Sequence, residues 1–397
     1  MNRPQRTFGE IANLRNGVNY VMADKGEVVR VVGVGDFQGR TELSSFGSLS
    51  EIRLRSSLTS DDELQDGDLL FVRSNGNKSL IGRCMVIRKP PAGLTFSGFT
   101  IRARLNRSIA LPDYISLVFQ AGSLGRQMIL AGGGNGNISN LNQSLLTAMP
   151  VVLPTLQDQK VLVTCMSSWD TAIRKTEQLI AAKERRLAHF RDTLLRKPER
   201  AEPVKLCDVT QELTGRNGTS LGREAIMAVT KQSGMRPMRA GTIAASIERY
   251  KRVPPRAFAY NPMRLNIGSI AISPFEHDVL VSPDYVVFAC DESKLLPSYL
   301  HHLRHTRKWK SHFELAGNGS VRVRIYYDDL ARFTFLLPTI DVQARLVRLL
   351  DAASHEIALL ERQADALRAQ KRGLMQKLLT GQWRVPVSAL QSEYGNL

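Results

Sequence analysis

The chain has 397 residues, 43% of them hydrophobic and 23% charged, with a formal net charge of +17. That size and composition describe a folded, soluble protein of two or three domains, and they exclude a membrane-spanning chain, since no apolar run is long enough to cross a bilayer. The charge favours a polyanionic partner, nucleic acid before a membrane surface or an acidic protein.

No secretory leader opens the chain, and Cys84, Cys165, Cys207 and Cys290 lie too far apart for ligand or redox spacing. A cytoplasmic protein with reduced thiols is therefore expected. The first globular segment, residues 1–153, opens with a short helix-like piece from Phe8 to Leu14 and a polar turn at Arg15–Asn19. Strands are predicted at Val28–Val34, Leu69–Arg73, Gly82–Arg88 and Ile101–Leu105. Gly33-Val34-Gly35-Asp36 completes no dinucleotide fingerprint and reads as a turn. A polar loop, Ser74 to Ser79, separates two of the strands, and Leu111-Pro112-Asp113-Tyr114 introduces a helix. Ala131 to Asn137 is too rich in glycine for a helix or central strand, and it lacks the Lys-Ser/Thr of a P-loop.

Residues 154–198 then carry a continuous a/d seam: Leu162, Met166, Trp169, Ile173, Thr176, Ile180, Lys183, Leu187, Phe190 and Leu194. Pro198 and Pro203 bracket a charged linker after it. Residues 199–337 form a second globular segment that echoes the first. Asn261 to Gly268 answers Asn75 to Gly82, with Arg264 on Lys78, and Leu296-Pro297-Ser298-Tyr299 answers Leu111 to Tyr114. The seam returns in residues 338–381, displaced by 184 positions without insertion: Leu346, Leu350, Ala353, Ile357, Leu360, Ala364, Leu367, Lys371, Leu374 and Leu378. Gly381 is placed as its C-cap, and residues 382–397 as a tail. Pro154/Pro338, Thr155/Thr339 and Gln159/Gln343 are identical across the copies.

The predicted fold is α+β: two repeated α/β domains separated by two long antiparallel coiled-coil helices. Each helix buries its seam most simply against the other, around a pseudo-two-fold axis that sends the domains to opposite ends of a rod roughly 60 Å long. Lys183 and Lys371 are the misfits in the seam. A register centred near residue 178 of the first helix sets Lys371 across from Trp169, within reach of a cation–π contact, and Lys183 across from Ile357.

No serine–histidine–acid order, paired carboxylates, nuclease or ATPase signature can be placed. An amino-methyltransferase needs a Pro-Pro-aromatic motif, but Pro254-Pro255 runs into Arg256, and Asn261-Pro262 into Met263. His301, His302, His305 and His312 sit among Arg304, Arg307, Lys308 and Lys310, which repel a cation, so a basic amphipathic helix is expected there and no metal site. Candidate DNA contacts in the first segment are Arg73, Asn75, Asn77 and Lys78, with Asn135 and Asn137 of the glycine loop. In the second segment they are Lys231, Gln232, Arg236, Arg239, Asn261, Arg264, Asn266, and Arg322 and Arg324 alternating on an expected strand. Arginine and lysine suit guanine edges and phosphates, asparagine and glutamine suit adenine, and each residue also reads as a plain solvated charge or amide.

Domain, long helix, domain, long helix, with Leu153-Pro154-Thr155-Leu156, its copy Leu337-Pro338-Thr339-Ile340, Leu70 to Asn77 and the closing Leu374-Met375-Gln376-Lys377-Leu378-Leu379-Thr380-Gly381, resembles the specificity subunit of a type I restriction–modification system. The resemblance implies two target-recognition domains, each reading half of a gapped double-stranded DNA site. It implies spacer helices that dock two methyltransferase subunits and, in the larger complex, restriction motor subunits. The chain would bind no cofactor of its own, while S-adenosylmethionine, ATP and Mg would belong to the partners. The first helix departs from the closing pattern, with Phe190-Arg191-Asp192-Thr193 in place of Leu374 to Lys377. A stand-alone DNA-binding regulator is the alternative, and an enzyme using the histidine-rich segment the remote third.

Overall fold

The computed structural model describes residues 5–21, 25–55, 57–120, 141–231, 233–315 and 324–379. The fold is α+β, as the sequence predicts, and the chain divides into two compact units. Residues 1–175 and 364–397 make the first unit and residues 176–363 the second, so each long helix is shared between them.

In the first unit the elements run β1 (Gln5–Thr7), α1 (Phe8–Ile11), β2 (Ala12–Asn16), β3 (Val28–Val32), β4 (Glu42–Leu43), β5 (Ser50–Arg53), β6 (Leu69–Val72), β7 (Cys84–Ile87), β8 (Thr95–Phe96), β9 (Thr100–Leu105), α2 (Pro112–Gln120), α3 (Gln143–Thr147) and β10 (Pro150–Val152). The expected helix Phe8–Leu14 is a single turn. Ala12–Asn16, expected as the end of that helix and the start of the polar turn, is a strand because it pairs antiparallel with β9. Phe8 and Ile11 point into the core from the one turn that does form. The Gly33–Asp36 turn is a short 3-10 segment closed by Asp36, whose Oδ2 accepts from the Gly33 amide.

The main sheet has the order β2-β9-β6-β7-β4. All four residues of β6 and of β7 are buried, because both faces of this sheet are covered. Alternation divides their side chains between two cores. Leu69, Phe71, Cys84 and Val86 pack with α2 and the long helices, and Leu70, Val72, Met85 and Ile87 pack with the small sheet β5-β3-β8.

The first long helix, α4, spans Leu156–Leu194. The second unit follows with β11 (Ala201–Lys205), β12 (Thr210–Glu212), β13 (Met227–Thr230), β14 (Gly234–Pro237), β15 (Lys251–Val253), β16 (Phe258–Tyr260), β17 (Ile270–Ile272), β18 (Val279–Val281), β19 (Val286–Cys290), α5 (Pro297–Leu303), α6 (Arg307–Leu315), α7 (Tyr327–Ala331) and β20 (Thr334–Pro338), and then the second long helix, α8 (Ile340–Leu379). Its main sheet, β12-β19-β16-β17, repeats β2-β9-β6-β7 of the first without a counterpart of β4, and its side chains again divide between two cores. The closing ribbon repeats too: β1 pairs with β10, and β11 with β20.

Every a/d position is buried or half-buried. Within the first unit, Leu162 and Met166 share a core with Met375 and Leu378, flanked by Trp169 and Leu374. Within the second, Leu187 packs with Leu350 and Ile357, flanked by Ile180, Phe190, Leu194, Leu346 and Ala353. Ile173, Leu360 and Leu367 are half-buried on the same faces. The two lysines hold the expected antiparallel register to within one residue. Lys183 pairs with Glu356 at 2.6 Å, next to Ile357, and Lys371 pairs with Asp170, next to Trp169, so an ion pair replaces the expected cation–π contact.

The duplicated glutamines lock each helix to its own domain. Gln159, fully buried, donates from Nε2 to the carbonyls of Ile109 (2.8 Å) and Pro154 (2.9 Å) and accepts at Oε1 from the Leu111 amide (2.8 Å). Gln343, equally buried, donates to Lys294 (2.8 Å) and Pro338 (2.8 Å) and accepts from Leu296 (2.9 Å). Each side chain satisfies three backbone groups that would otherwise be orphaned beside a proline, which has no amide hydrogen to offer.

Candidate nucleic-acid interface

The antiparallel order brings the end of β2, the start of β9, the end of β6 and the start of β7 to one end of the first sheet. In the second unit the end of β12, the start of β19, the end of β16 and the start of β17 meet in the same way. The candidate loops Arg73–Asn77 and Asn261–Asn266 therefore occupy equivalent sheet ends.

Both loops are built by asparagine turns. Asn75 Oδ1 accepts from the Asn77 amide at 2.7 Å, and Asn261 Oδ1 from the Met263 amide at 2.9 Å. Asn77 Oδ1 accepts from Ser79 at 3.0 Å. Gly82 and Gly268 close the two loops at φ +76° and +89°, a backbone conformation that favours glycine. Arg73 is half-buried and donates to the Gly98 carbonyl at 3.3 Å, so part of its donor fork serves the fold. Lys78 begins a 3-10 turn, and its side chain lies outside the described structure. Asn135, Asn137 and the rest of the glycine loop, with Gln232, Arg322 and Gly381, also lie outside the described residues.

In the second unit Asn261, Arg324, Lys251, Met263 and Tyr326 line a cleft of about 420 Å³ with Glu212 and Asp284. Burial lowers the Lys251 pKa, with Glu212 acting in the opposite direction. Arg324 lies in irregular chain, a correction to the expected strand: its Nη1 donates to Tyr326 Oη at 3.4 Å. Arg264 and Asn266 are exposed. Lys231, in the turn joining β13 to β14, runs beside Gly268 and so joins this loop, whereas Arg236 and Arg239 are exposed farther along the hairpin, away from its turn. A cleft of about 450 Å³ in the first unit is lined by Val18, Asn19, Tyr20, Val21, Arg55 and Asp62, among others, and by no residue of the 73–77 loop.

The histidine-rich segment is two helices rather than one basic amphipathic helix, broken at Arg304–Thr306. In α6, Trp309 and Phe313 are buried while Arg307, Lys308 and Lys310 are exposed. His312 is exposed as well, whereas His301, Arg304 and His305 are half-buried and His302 meets the long helices. His302 is buried, its Nε2 lies 2.8 Å from Asp351 of α8, and its Nδ1 accepts from Arg191 of α4 at 3.3 Å. That arrangement fixes a neutral ring protonated at Nε2. Burial lowers the His302 pKa while Asp351 raises it; burial with Arg304 nearby brings His301 to about 3 and His305 to about 2. Among the described residues no group of three or more potential ligands gathers for a metal. Asp192 accepts from the first amide of α6, on Arg307, at 2.6 Å. The departure of α4 from the closing pattern thus has a local cause: Arg191 and Asp192 hold α5 and α6.

No family model matches the sequence. Over 120 residues the chain is 32% identical to the specificity subunit of the type I restriction enzyme EcoKI of Escherichia coli, a stretch covering 30% of this chain and 24% of that protein. The matched stretch thus spans about a quarter of the length of that curated relative. The solved structures extend the likeness to the whole chain. The HsdS subunit of Thermoanaerobacter tengcongensis aligns over 96% of this chain and 97% of its own, with a TM-score of 0.51 at 16% identity. A chain from a structural study of the assembly and conformational transition of the type I R-M system aligns over 95% and 97%, with a TM-score of 0.63 at 15% identity. This is the fold of a type I specificity subunit. The S subunit from M. genitalium aligns over 95% of this chain at 10% identity, with a TM-score of 0.50. Specificity-subunit architecture accounts for the duplication, but the residues that tie each domain to its helices, Gln159, Gln343, Arg191 and Asp192, become visible only in the packing. Among the described residues no helix is long and apolar enough to cross a membrane.

Proposed function

We propose that the chain is the non-catalytic DNA-reading subunit of a type I restriction–modification complex. Each unit reads one part of a gapped, double-stranded site, and the chain docks methyltransferase subunits, expected to be two, that bring S-adenosylmethionine. Restriction motor subunits that use ATP and Mg join the same complex. The observation that carries this reading is the repetition of one basic, asparagine-built sheet end in both units of a specificity-subunit fold. Cationic groups there neutralise phosphates and set the register, and groups facing the grooves choose the bases. Two moderate readers on one chain gain affinity by acting together, because the second binding event is intramolecular.

Co-expression with a methyltransferase, followed by affinity purification and methylome sequencing, tests this. The expected outcome is a stable complex and a methylated motif of two specified parts separated by an unspecified gap. A chain that retains no methyltransferase, or a methylome that is the same without it, refutes the proposal.

A further inference from the structure

Ten large hydrophobic side chains among the described residues are exposed, and six of them lie on the two equivalent sheet ends: Tyr20, Val21, Phe99, Met263, Ile267 and Tyr326. Single exposed apolar residues need no explanation, but their concentration on two corresponding loop clusters of a duplicated domain does. Phe99 is the most exposed, at 62%. Its loop is nonetheless firmly held. The Phe99 carbonyl accepts from the Arg73 amide (2.8 Å) and the Ser74 amide (3.3 Å), and the Gly98 amide donates to Val18 (2.8 Å). Gly17 fits against this loop only because it lacks a side chain, since a Cβ there would lie 2.3 Å from the Phe96 and Ser97 carbonyl oxygens. A clamped backbone thus presents an apolar ring to solvent.

The polar groups around it are partly committed elsewhere. Arg73 bonds Gly98, and the side-chain carbonyls of Asn75 and Asn77 close their own turns, which leaves mainly amide donors. The three loops, residues 17–21, 73–83 and 97–99, contain Arg73, Lys78 and Arg83 and no carboxylate. Loops that carry cationic residues beside an exposed apolar ring, with Asp62 lining the adjoining cleft, suit a DNA groove, where phosphates flank the bases. In the major groove the one apolar feature that marks a base is the 5-methyl group of thymine.

We infer that Phe99 is a specificity-determining residue of the first unit, packing on thymine 5-methyl groups in its half of the DNA target. Met263 and Ile267 are exposed at the same end of the second sheet, but on the loop that answers residues 75–82 rather than on the one that answers Phe99. The inference rests on the DNA-reading function proposed above, and the test separates the two. Duplexes are selected from a random pool by the full chain, and the enriched duplex is then made with thymine or with uracil, one half at a time. Uracil lacks only the methyl group. The wild type should lose about fourfold in affinity per contacted methyl when uracil replaces thymine in one half. Phe99→Ala should bind the two forms of that half alike while still distinguishing thymine from uracil in the other half, and Phe99→Leu should keep part of the discrimination. Equal binding of both forms by the wild type, a selected target whose halves lack thymine, or unchanged discrimination by Phe99→Ala overturns the role of Phe99. A pool from which nothing is enriched overturns DNA reading itself.

Discussion

Replacing Gln343 by leucine removes three hydrogen bonds while nearly keeping the volume of a side chain that is fully buried. The Lys294 and Pro338 carbonyls lose their donor and the Leu296 amide loses its acceptor, all bonded at 2.8–2.9 Å in the wild type. An orphaned buried group costs about 1–3 kcal/mol, and the three are neighbours whose costs do not add in full, so a loss of about 3–5 kcal/mol is expected for the second unit. Gln343→Glu sharpens the test. An ionised carboxylate can only accept, yet it would face two carbonyl oxygens, so the buried acid favours protonation and its folded-state pKa rises above the ordinary value of about 4.3. The folded state then holds a proton that the unfolded state releases. The variant should therefore come closest to wild-type stability at acid pH and lose ground as pH rises through the raised pKa. Hydrogen exchange followed by mass spectrometry reads the effect locally. Segments 286–303 and 334–346 should lose protection, and segments 100–120 and 150–162, around the intact Gln159 lock, should not. A Gln343→Leu protein whose second unit unfolds within about 0.5 kcal/mol of wild type would refute the assignment of these bonds as the lock, since surface substitutions fall in that range.

Leu350→Ala, at a fully buried seam position, should destabilise the second unit by about 2–5 kcal/mol, read as a shift in the denaturant midpoint. His301 and His305 have folded-state pKa values far below the ordinary value of about 6.5, so the stability they confer is present above that pH and is lost as pH falls. Melting curves from pH 7 to 4 should accordingly be flatter for His305→Asn than for wild type. DNA affinity should fall linearly on a log–log plot against salt, with a slope near one unit for each neutralised phosphate. Arg264→Ala should relax one half of the methylated motif and leave the other half intact, as methylome sequencing would show.

The long helices were legible because burial on a coiled-coil face is periodic, and a displacement of 184 residues without insertion recovers the second seam from the first. The register was legible from the antiparallel pairing of the duplicated helices about residue 178, and the two misfit lysines then report it through their partners. What the glutamines do was hidden, although their identity across the copies stood out, because two of the three partners of each lie 47–50 residues upstream in another element. Ala12–Asn16 misled because one amphipathic turn precedes it and only pairing with Thr100–Leu105 makes it a strand. The histidines misled because local charge suggested a solvated face, while Arg191 and Asp351, distant in sequence, draw His302 inside. Phe99 gave no signal, since a lone phenylalanine before a strand reads as core.

Under the DNA-reading function proposed above, the clamp from Arg191 and Asp192 onto His302 and Arg307 bears on how such a chain would acquire new targets. A cassette exchanged between Leu206 and Phe335 inherits α4 and α8 from its host. Of the three groups that bind Gln343, it must present one carbonyl and one amide, at the positions of Lys294 and Leu296, while Pro338 stays with the host. Within its α5–α6 corner it must also offer an acceptor to Arg191 and a helix start to Asp192. Glutamine asks only for backbone, which any sequence with the right turn supplies, whereas the arginine and aspartate ask for a particular side chain and a particular helix. Recombination into the second position is thus filtered by compatibility with the resident helix. Hybrids that carry a foreign corner would need a compensating change at residues 191 and 192 before they fold as well as the parent.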